Sequence, residues 1–276
     1  MAMTEQEKKI LDQWIREQEA ISKEIIEAKG GRYIKSGKTK AVGVLPNDQM
    51  IMRFLDSYTG IDGVKDGGGN EVAGHQDGLG FQNLATTWKI FELLNRECEI
   101  PTQNVSIDEK NNILIAHALT LLGANMPFAN NGKEHVSGGV EIIGRNVATG
   151  SILKRMPYLQ EGADLTDSNG LPMIETSVKH DIEGDPIFAW QYFAQQGVNK
   201  DDLLLAMERT ARGAKFLTEK FAGVGLKFKD TKMEHGYTKQ GKLVLGDEIS
   251  TGTSRLRTMN EGKLTEKEIY EAVMKM

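Results

Sequence analysis

Residues 226–250 read LKFKDTKMEHGYTKQGKLVLGDEIS, and this stretch decides the fold. Side chains alternate between the two faces of a strand, so Asp230, Lys232 and Glu234 share one face. A two-residue turn at Gln240-Gly241 pairs Lys239 with Lys242, and counting back from there sets Glu234 directly opposite Asp247. Two carboxylates facing each other across a ladder repel. A cation between them removes the conflict, and Mg²⁺ suits a site of one or two carboxylates completed by nucleotide phosphates. Lys232, one pleat away, is then placed to touch a phosphate or a developing anion. The competing reading is an exposed hairpin of mixed charge.

Working outward, strands and helices mix without strict βαβ alternation. Residues 4–29 predict a helix, with Thr4 and Glu7 at capping-box spacing and Ile10, Trp14, Ile21 and Ile25 recurring along it. Short strands are expected at 38–45 and 50–56 around the turn signal Pro46-Asn47-Asp48. A glycine-rich stretch, 60–80, contains Gly67-Gly68-Gly69 and precedes a helix at 81–96. Residues 113–122 are apolar enough for one buried strand, 123–139 read as a loop, and 140–146 as a strand. An amphipathic helix fits 201–221, strands with a hairpin turn fit 226–248, and a short helix fits 265–276. The pattern predicts an α+β fold with two lobes. The expected division is a helical extension at 1–30, a β-rich lobe at 31–100 and an α+β lobe at 101–276.

Composition narrows the function. A formal net charge of −5 over 276 residues forces no basic face, which argues against a nucleic-acid backbone as partner. One cysteine, Cys98, excludes an internal disulfide and a cysteine-rich zinc site. The first residues are polar, with no apolar core of a signal peptide, and no apolar run has membrane-spanning length. The expectation is a cytoplasmic protein acting on small molecules, with its first helix packed on the body or in a homo-oligomer contact.

Three further pieces carry candidate chemistry. In Lys35-Ser36-Gly37-Lys38-Thr39-Lys40, the two lysines at 38 and 40 share a strand face beside a glycine and suit ATP phosphates. The segment is not a P-loop, since Arg32 stands where that motif needs glycine and a strand follows instead of a helix. In Gly144-Arg145-Asn146 through Gly150-Ser151, a guanidinium, a hydroxyl and backbone amides can converge on an anion. In Lys179-His180-Asp181-Ile182-Glu183-Gly184-Asp185-Pro186, acids cluster at a proline turn. Each of these has a bland counterpart, namely a solvated basic strand, a turn with a solvated arginine and a polar loop.

Taken in order, these pieces resemble the SAICAR synthetases of purine biosynthesis. The resemblance rests on Gly37-Lys38-Thr39-Lys40, Arg145-Asn146, Gly150-Ser151, Glu161-Gly162, Lys179, Asp181, Asp185-Pro186, Asp230, Lys232, Glu234, Gly236, Asp247-Glu248-Ile249-Ser250 and Arg255. It implies a two-lobed fold with antiparallel sheets and an ATP cleft between the lobes, and an ATP-dependent ligase joining an amino acid, aspartate in this family, to an imidazole nucleotide carboxylate. It implies Lys38 and Lys40 on nucleotide phosphates, Glu234 and Asp247 on nucleotide and Mg²⁺, and Arg145, Ser151 and Arg255 on the substrate's 5′-phosphate. Lys179, Asp181 and Asp185 are carried over as further substrate residues, and Lys232 and Asp230 as catalytic ones. The chain departs from the pattern at Leu79, Ser57, Thr251-Gly252 and Arg257-Thr258. These departures keep two other readings open: the same ligase chemistry on another nucleotide acid or amine, and a non-catalytic nucleotide-binding relative.

Overall fold

The structure, a computed structural model, describes residues 3–61, 64–65 and 71–276. The chain begins with helix α1 (Glu5–Ala28) and continues through strands β1 (Arg32–Ser36), β2 (Lys40–Leu45), β3 (Gln49–Phe54), β4 (Ser57–Ile61), β5 (Val64–Lys65) and β6 (Glu71–His75). Helix α2 (Leu79–Cys98) leads to β7 (Asn104–Asp108), β8 (Ile113–His117), β9 (Thr120–Leu121), β10 (Pro127–Asn130), β11 (Lys133–Val136) and β12 (Val140–Arg145). Then come α3 (Ser151–Arg155), β13 (Met173–Val178), α4 (Trp190–Gln195), α5 (Lys200–Gly223), β14 (Leu226–Tyr237), β15 (Leu243–Gly246), β16 (Ser254–Thr258) and α6 (Glu266–Val273).

The first large sheet runs β1-β2-β3-β8-β7 and is covered on both faces. Alternate residues of β3 explain this: Ile51 packs with Ile26 of α1, while Met52 and Phe54 pack with Leu84 of α2. Burial on both faces is why this strand reads as a nearly continuous apolar run. The first helix is therefore a cover for one face of the sheet, and its Thr4 capping box forms with both bonds present. A buried face against the sheet, rather than its charged exterior, holds such a helix in place.

The second large sheet runs β13-β12-β14-β15, with β16 and β9 also paired to β14. One face is covered by α5, whose Ala214, Leu217 and Phe221 join Phe228 and Met233 of β14 in the largest apolar cluster described. Phe228 and Met233 have opposite parity along the strand, yet both face this core. The register with β16 shifts between Phe228 and Asp230, and the extra residue at that bulge reverses which face the chain presents. A third, small sheet is β5-β4-β6.

Several expectations change. Residues 113–122 do not form one strand: β8 pairs with β3 in the first sheet and β9 pairs with β14 in the second, so the chain crosses between sheets after His117. Residues 123–139 are not a plain loop. They contain the β10–β11 hairpin, in which Asn130 pairs with Lys133 around Asn131 and Gly132, both at positive φ. Asn-Gly is the preferred pair for that turn. The first sheet also takes β7 and β8 from beyond residue 100, so it does not end at the 100/101 division. Gly67-Gly68-Gly69 lies outside the described residues.

Candidate active site

A cleft of about 580 Å³ runs between the β1–β2 hairpin and the open face of the second sheet. Alternation along β14 places Asp230, Lys232 and Glu234 on its floor while Met233 faces α5. All the residues singled out from sequence, Lys38, Lys40, Arg145, Ser151, Lys179, Asp181, Asp185, Asp230, Lys232, Glu234, Asp247 and Arg255, line it.

The expected register is wrong by one. Glu234 pairs with Gly246, not Asp247, because the hairpin loop is three residues, Lys239 to Gly241, closed by Thr238 N donating to Lys242 O at 3.0 Å. Gly241 adopts φ 77°, the left-handed residue such a loop demands. Asp247 still turns into the cleft. It leaves the strand at φ 58°, in the left-handed region, instead of continuing the pleat.

At one end of the cleft, ammonium groups and carboxylates interleave. Lys40 Nζ bridges Asp247 Oδ1 at 2.7 Å and Glu248 Oε1. Lys38 Nζ reaches Asp181 Oδ1 at 3.0 Å. Lys179 Nζ donates to both oxygens of Glu234, at 2.6 and 2.7 Å. Lys232 Nζ donates to Glu141 Oε1 at 2.6 Å and stands 3.7 Å from Glu234. Burial works against the charge of Lys179, but Glu234 and Asp247 outweigh it and raise its pKa. The same holds for Lys232, raised by Glu141 and Glu234 against burial. Burial likewise opposes ionisation of Asp247, yet the ammonium groups of Lys40, Lys179 and Lys232 hold its carboxyl below the ordinary range.

At the other end, arginines gather around two buried acids. Asp230 is the register partner of both Arg145 on β12 and Arg255 on β16. Its Oδ2 accepts from Arg145 Nη1 at 3.0 Å and from Arg255 Nη1 at 2.8 Å. Glu175 of β13 accepts from Arg145 Nε and, at 2.6 Å, from Arg155 Nη2. Arg145 Nη2 donates to Ser151 Oγ at 3.3 Å. Arg145 is only 2% exposed, with its guanidinium engaged by Glu175, Asp230, Thr149 O and Ser151. Arg155 and Arg255 are the more open members of the group, at 33% and 22% of their side chains.

Two of the expected site residues have surroundings that the sequence did not show. Asp230, expected among the catalytic residues, lines the cleft at 2% exposure with its Oδ2 taken by two guanidiniums. Glu234 and Asp247 do not face each other in the ladder: Glu234 pairs with Gly246, and its carboxylate bonds Lys179 while that of Asp247 bonds Lys40. The sequence reading gave no role to Glu141, Glu175 or Glu248. Glu141 sits in a strand expected from its apolar residues and Glu175 in a strand that was not expected, and only the pairing with Lys232 and Arg145 reveals their use. Glu248 was adjacent to a chosen residue and had the signal of a repeated acid.

Among the described residues no helix is long and apolar enough to cross a membrane. None of their His, Cys, Asp and Glu side chains forms a three-membered metal cluster. Glu234 and Asp247, the two acids expected on a metal, are both engaged by ammonium groups, of Lys179 and of Lys40.

Residues 33–274 match the family model of SAICAR synthetase. The phosphoribosylaminoimidazole-succinocarboxamide synthase of Methanothermobacter thermautotrophicus is 31% identical over 240 residues, covering 85% of this chain and 84% of that protein. The Pyrococcus furiosus enzyme of the same name is 29% identical over 238 residues, covering 86% and 88%. Among solved structures, a SAICAR synthetase in complex with ADP superposes with a TM-score of 0.71 at 28% identity, over 88% of this chain and 97% of that one. The SAICAR synthetase of Pyrococcus horikoshii superposes with a TM-score of 0.65 at 26% identity, over 89% and 98%. With its motifs gathered in one cleft and a match across most of its length, the chain belongs to the SAICAR synthetase family.

Proposed function

We propose that this chain uses ATP to join the amine of aspartate to the carboxylate of carboxyaminoimidazole ribonucleotide, giving the succinocarboxamide, ADP and phosphate. The observation that carries the reading is the split of the cleft: one end offers ammonium groups among acids, the other offers arginines and a serine. A triphosphate and a phosphate ester are the ligands that such ends suit.

In this reading the substrate carboxylate attacks the γ-phosphorus of ATP, ADP leaves, and an acyl phosphate forms. The aspartate amine then attacks the acyl carbon, loses a proton and expels phosphate. Lys38 and Lys40 contact the nucleotide phosphates, exchanging their acid partners for phosphate oxygens. Lys232, held in its charged form by Glu141, stabilises the transferring phosphoryl group. Ser151 and Arg255, with Arg145 fixed beneath them, hold the 5′-phosphate. Asp230 is a positioning residue that sets both guanidiniums. Lys179, Asp181 and Asp185 line the path of the acid or amine. Glu234 and Asp247 are the residues that would hold Mg²⁺, which when bound neutralises phosphate charge.

The test is ADP release from protein, Mg²⁺, ATP and the carboxylated imidazole nucleotide, with and without aspartate. Aspartate-dependent ADP is the expected result. ADP released only with another amine or acid moves the assignment to a different substrate pair. Thermal stabilisation by ATP without turnover replaces the ligase with a nucleotide-binding role.

A further inference from the structure

The β10–β11 hairpin makes no contribution to the cleft lining, yet it is built against the segment that does. Its base is tied to Lys179 through the backbone: Gly138 N donates to Lys179 O at 2.9 Å, and Lys179 N donates to Gly139 O at 2.8 Å. Its body grips Glu183. Glu183 Oε2 accepts from Asn130 Nδ2 at 3.0 Å and Asn131 Nδ2 at 3.3 Å, and Glu183 Oε1 stands 3.3 Å from His135 Nε2. Phe128 of the same hairpin stacks on His135 and meets His180 edge-on, with centroids 5.2 and 5.3 Å away. Glu183 closes a short turn over residues 181–183, with its own N–H donating to His180 Nδ1. The turn is locked again where Asp185, at φ 52°, accepts from His180 N at 2.8 Å.

This turn presents Asp181 across the cleft to Lys38. An exposed ion pair at that distance contributes little by itself, since its two side chains must be ordered to meet. Ordering of the Asp181 side has a visible source in the hairpin, because Glu183 lies two residues away and its side chain is 14% exposed, bonded to Asn130 and Asn131 and 3.3 Å from His135.

We propose that Glu183 is a positioning residue: gripped by Asn130 and Asn131, it clamps the 181–185 turn and so holds Asp181 in place at the cleft, where Lys38 is its partner until nucleotide binds. The functional half of this inference rests on the ligase reading above. The clamp itself does not.

The test uses the full chain with Glu183→Ala, Glu183→Gln, Asp181→Ala and the double variant Glu183→Ala/Asp181→Ala. Glu183→Ala raises the KM of at least one of the two non-ATP substrates roughly ten-fold with kcat within about two-fold, as expected for a displaced binding group. Glu183→Gln recovers most of that loss, since an amide oxygen still accepts from Asn130. The double variant is no worse than Asp181→Ala alone, because both changes remove one coupled unit. Amide hydrogen exchange over residues 180–186, read without any turnover, accelerates in Glu183→Ala. Additive KM effects, or an exchange profile unchanged by Glu183→Ala, overturn the proposal. Absence of turnover in the unaltered chain overturns the ligase reading instead, and the exchange experiment then decides the clamp alone.

Discussion

Arg145 and Arg255 approach the same oxygen, Asp230 Oδ2, from strands on either edge of β14, at 3.0 and 2.8 Å. The two guanidiniums would repel at this spacing without the carboxylate between them. Burial pushes the Asp230 carboxyl up, and the arginines oppose it. The arrangement is therefore a single charged unit in which no member is dispensable to the others.

Removing the inner arginine tests that unit. Arg145→Met leaves Glu175 and Asp230 buried with one cationic partner each, and breaking a buried pair from one side costs about 3–5 kcal/mol. Urea unfolding should show the midpoint falling by that equivalent. A loss under about 1 kcal/mol, the scale of a surface pair, would sink the buried-unit account.

Gly150 supplies a second perturbation. Its backbone lies at φ 63°, and a Cβ there would meet Arg255 Nη2 at 2.8 Å. Gly150→Ala must displace Arg255, and its positive φ also strains the backbone between Thr149 and Ser151, both of which Arg145 touches. The KM for the phosphorylated acid should rise roughly ten-fold, with ATP affinity unchanged, since misplacing a positioning group by about an ångström is costly. Equal effects on both substrates would contradict the division of the cleft into two ends.

Lys232→Met separates binding from chemistry. The ammonium group at the centre of the cleft floor is the one that suits a developing phosphoryl charge. Turnover should fall by roughly a hundred-fold or more, with ATP binding by calorimetry retained within about three-fold. Unaltered turnover would remove Lys232 from the mechanism.

His235 predicts a pH effect on stability. It is fully buried on the opposite face of β14 from Glu234, neither ring nitrogen has a hydrogen-bond partner among the described residues, and burial with nearby Arg209 pushes its pKa down to about 3. The folded state thus keeps His235 neutral where the unfolded chain, with an ordinary value near 6.5, binds a proton. Stability from this group is complete above the ordinary value and drains by up to about 1.4 kcal/mol per pH unit between there and about 3. Asp247 adds in the same direction at lower pH, because its depressed carboxyl stabilises the fold above the ordinary carboxylate range and loses that contribution as acid protonates it. Urea midpoints measured from pH 7 to pH 5 should fall less steeply in His235→Leu than in the unaltered chain. Parallel slopes would show that His235 does not carry the effect.

Much of the cleft floor was legible because β14 is one long strand whose pleat sorts its residues by parity. Asp230, Lys232 and Glu234 needed no partner to be placed on one face. The partner strand was misread, since Thr238-Lys239-Gln240-Gly241-Lys242 is compatible with two loop lengths and only the left-handed Gly241 selects the longer one. A slip of one residue should have sent Asp247 to the far face, yet the left-handed backbone at Asp247 itself returns it to the cleft. Two local conformations, neither encoded by periodicity, offset each other.

What the amino-acid sequence determined by itself was local: which residue types lie on which face, where helices are capped, and that lysines, arginines and acids recur in the order of one enzyme family. Which cation meets which acid was decided only by the tertiary structure. Glu141 and Lys232 lie far apart along the chain and become partners when β12 pairs with β14, and Lys38 meets Asp181 only across the cleft. Ion pairing depends on distance and on exclusion of water, and neither quantity exists until the chain has folded.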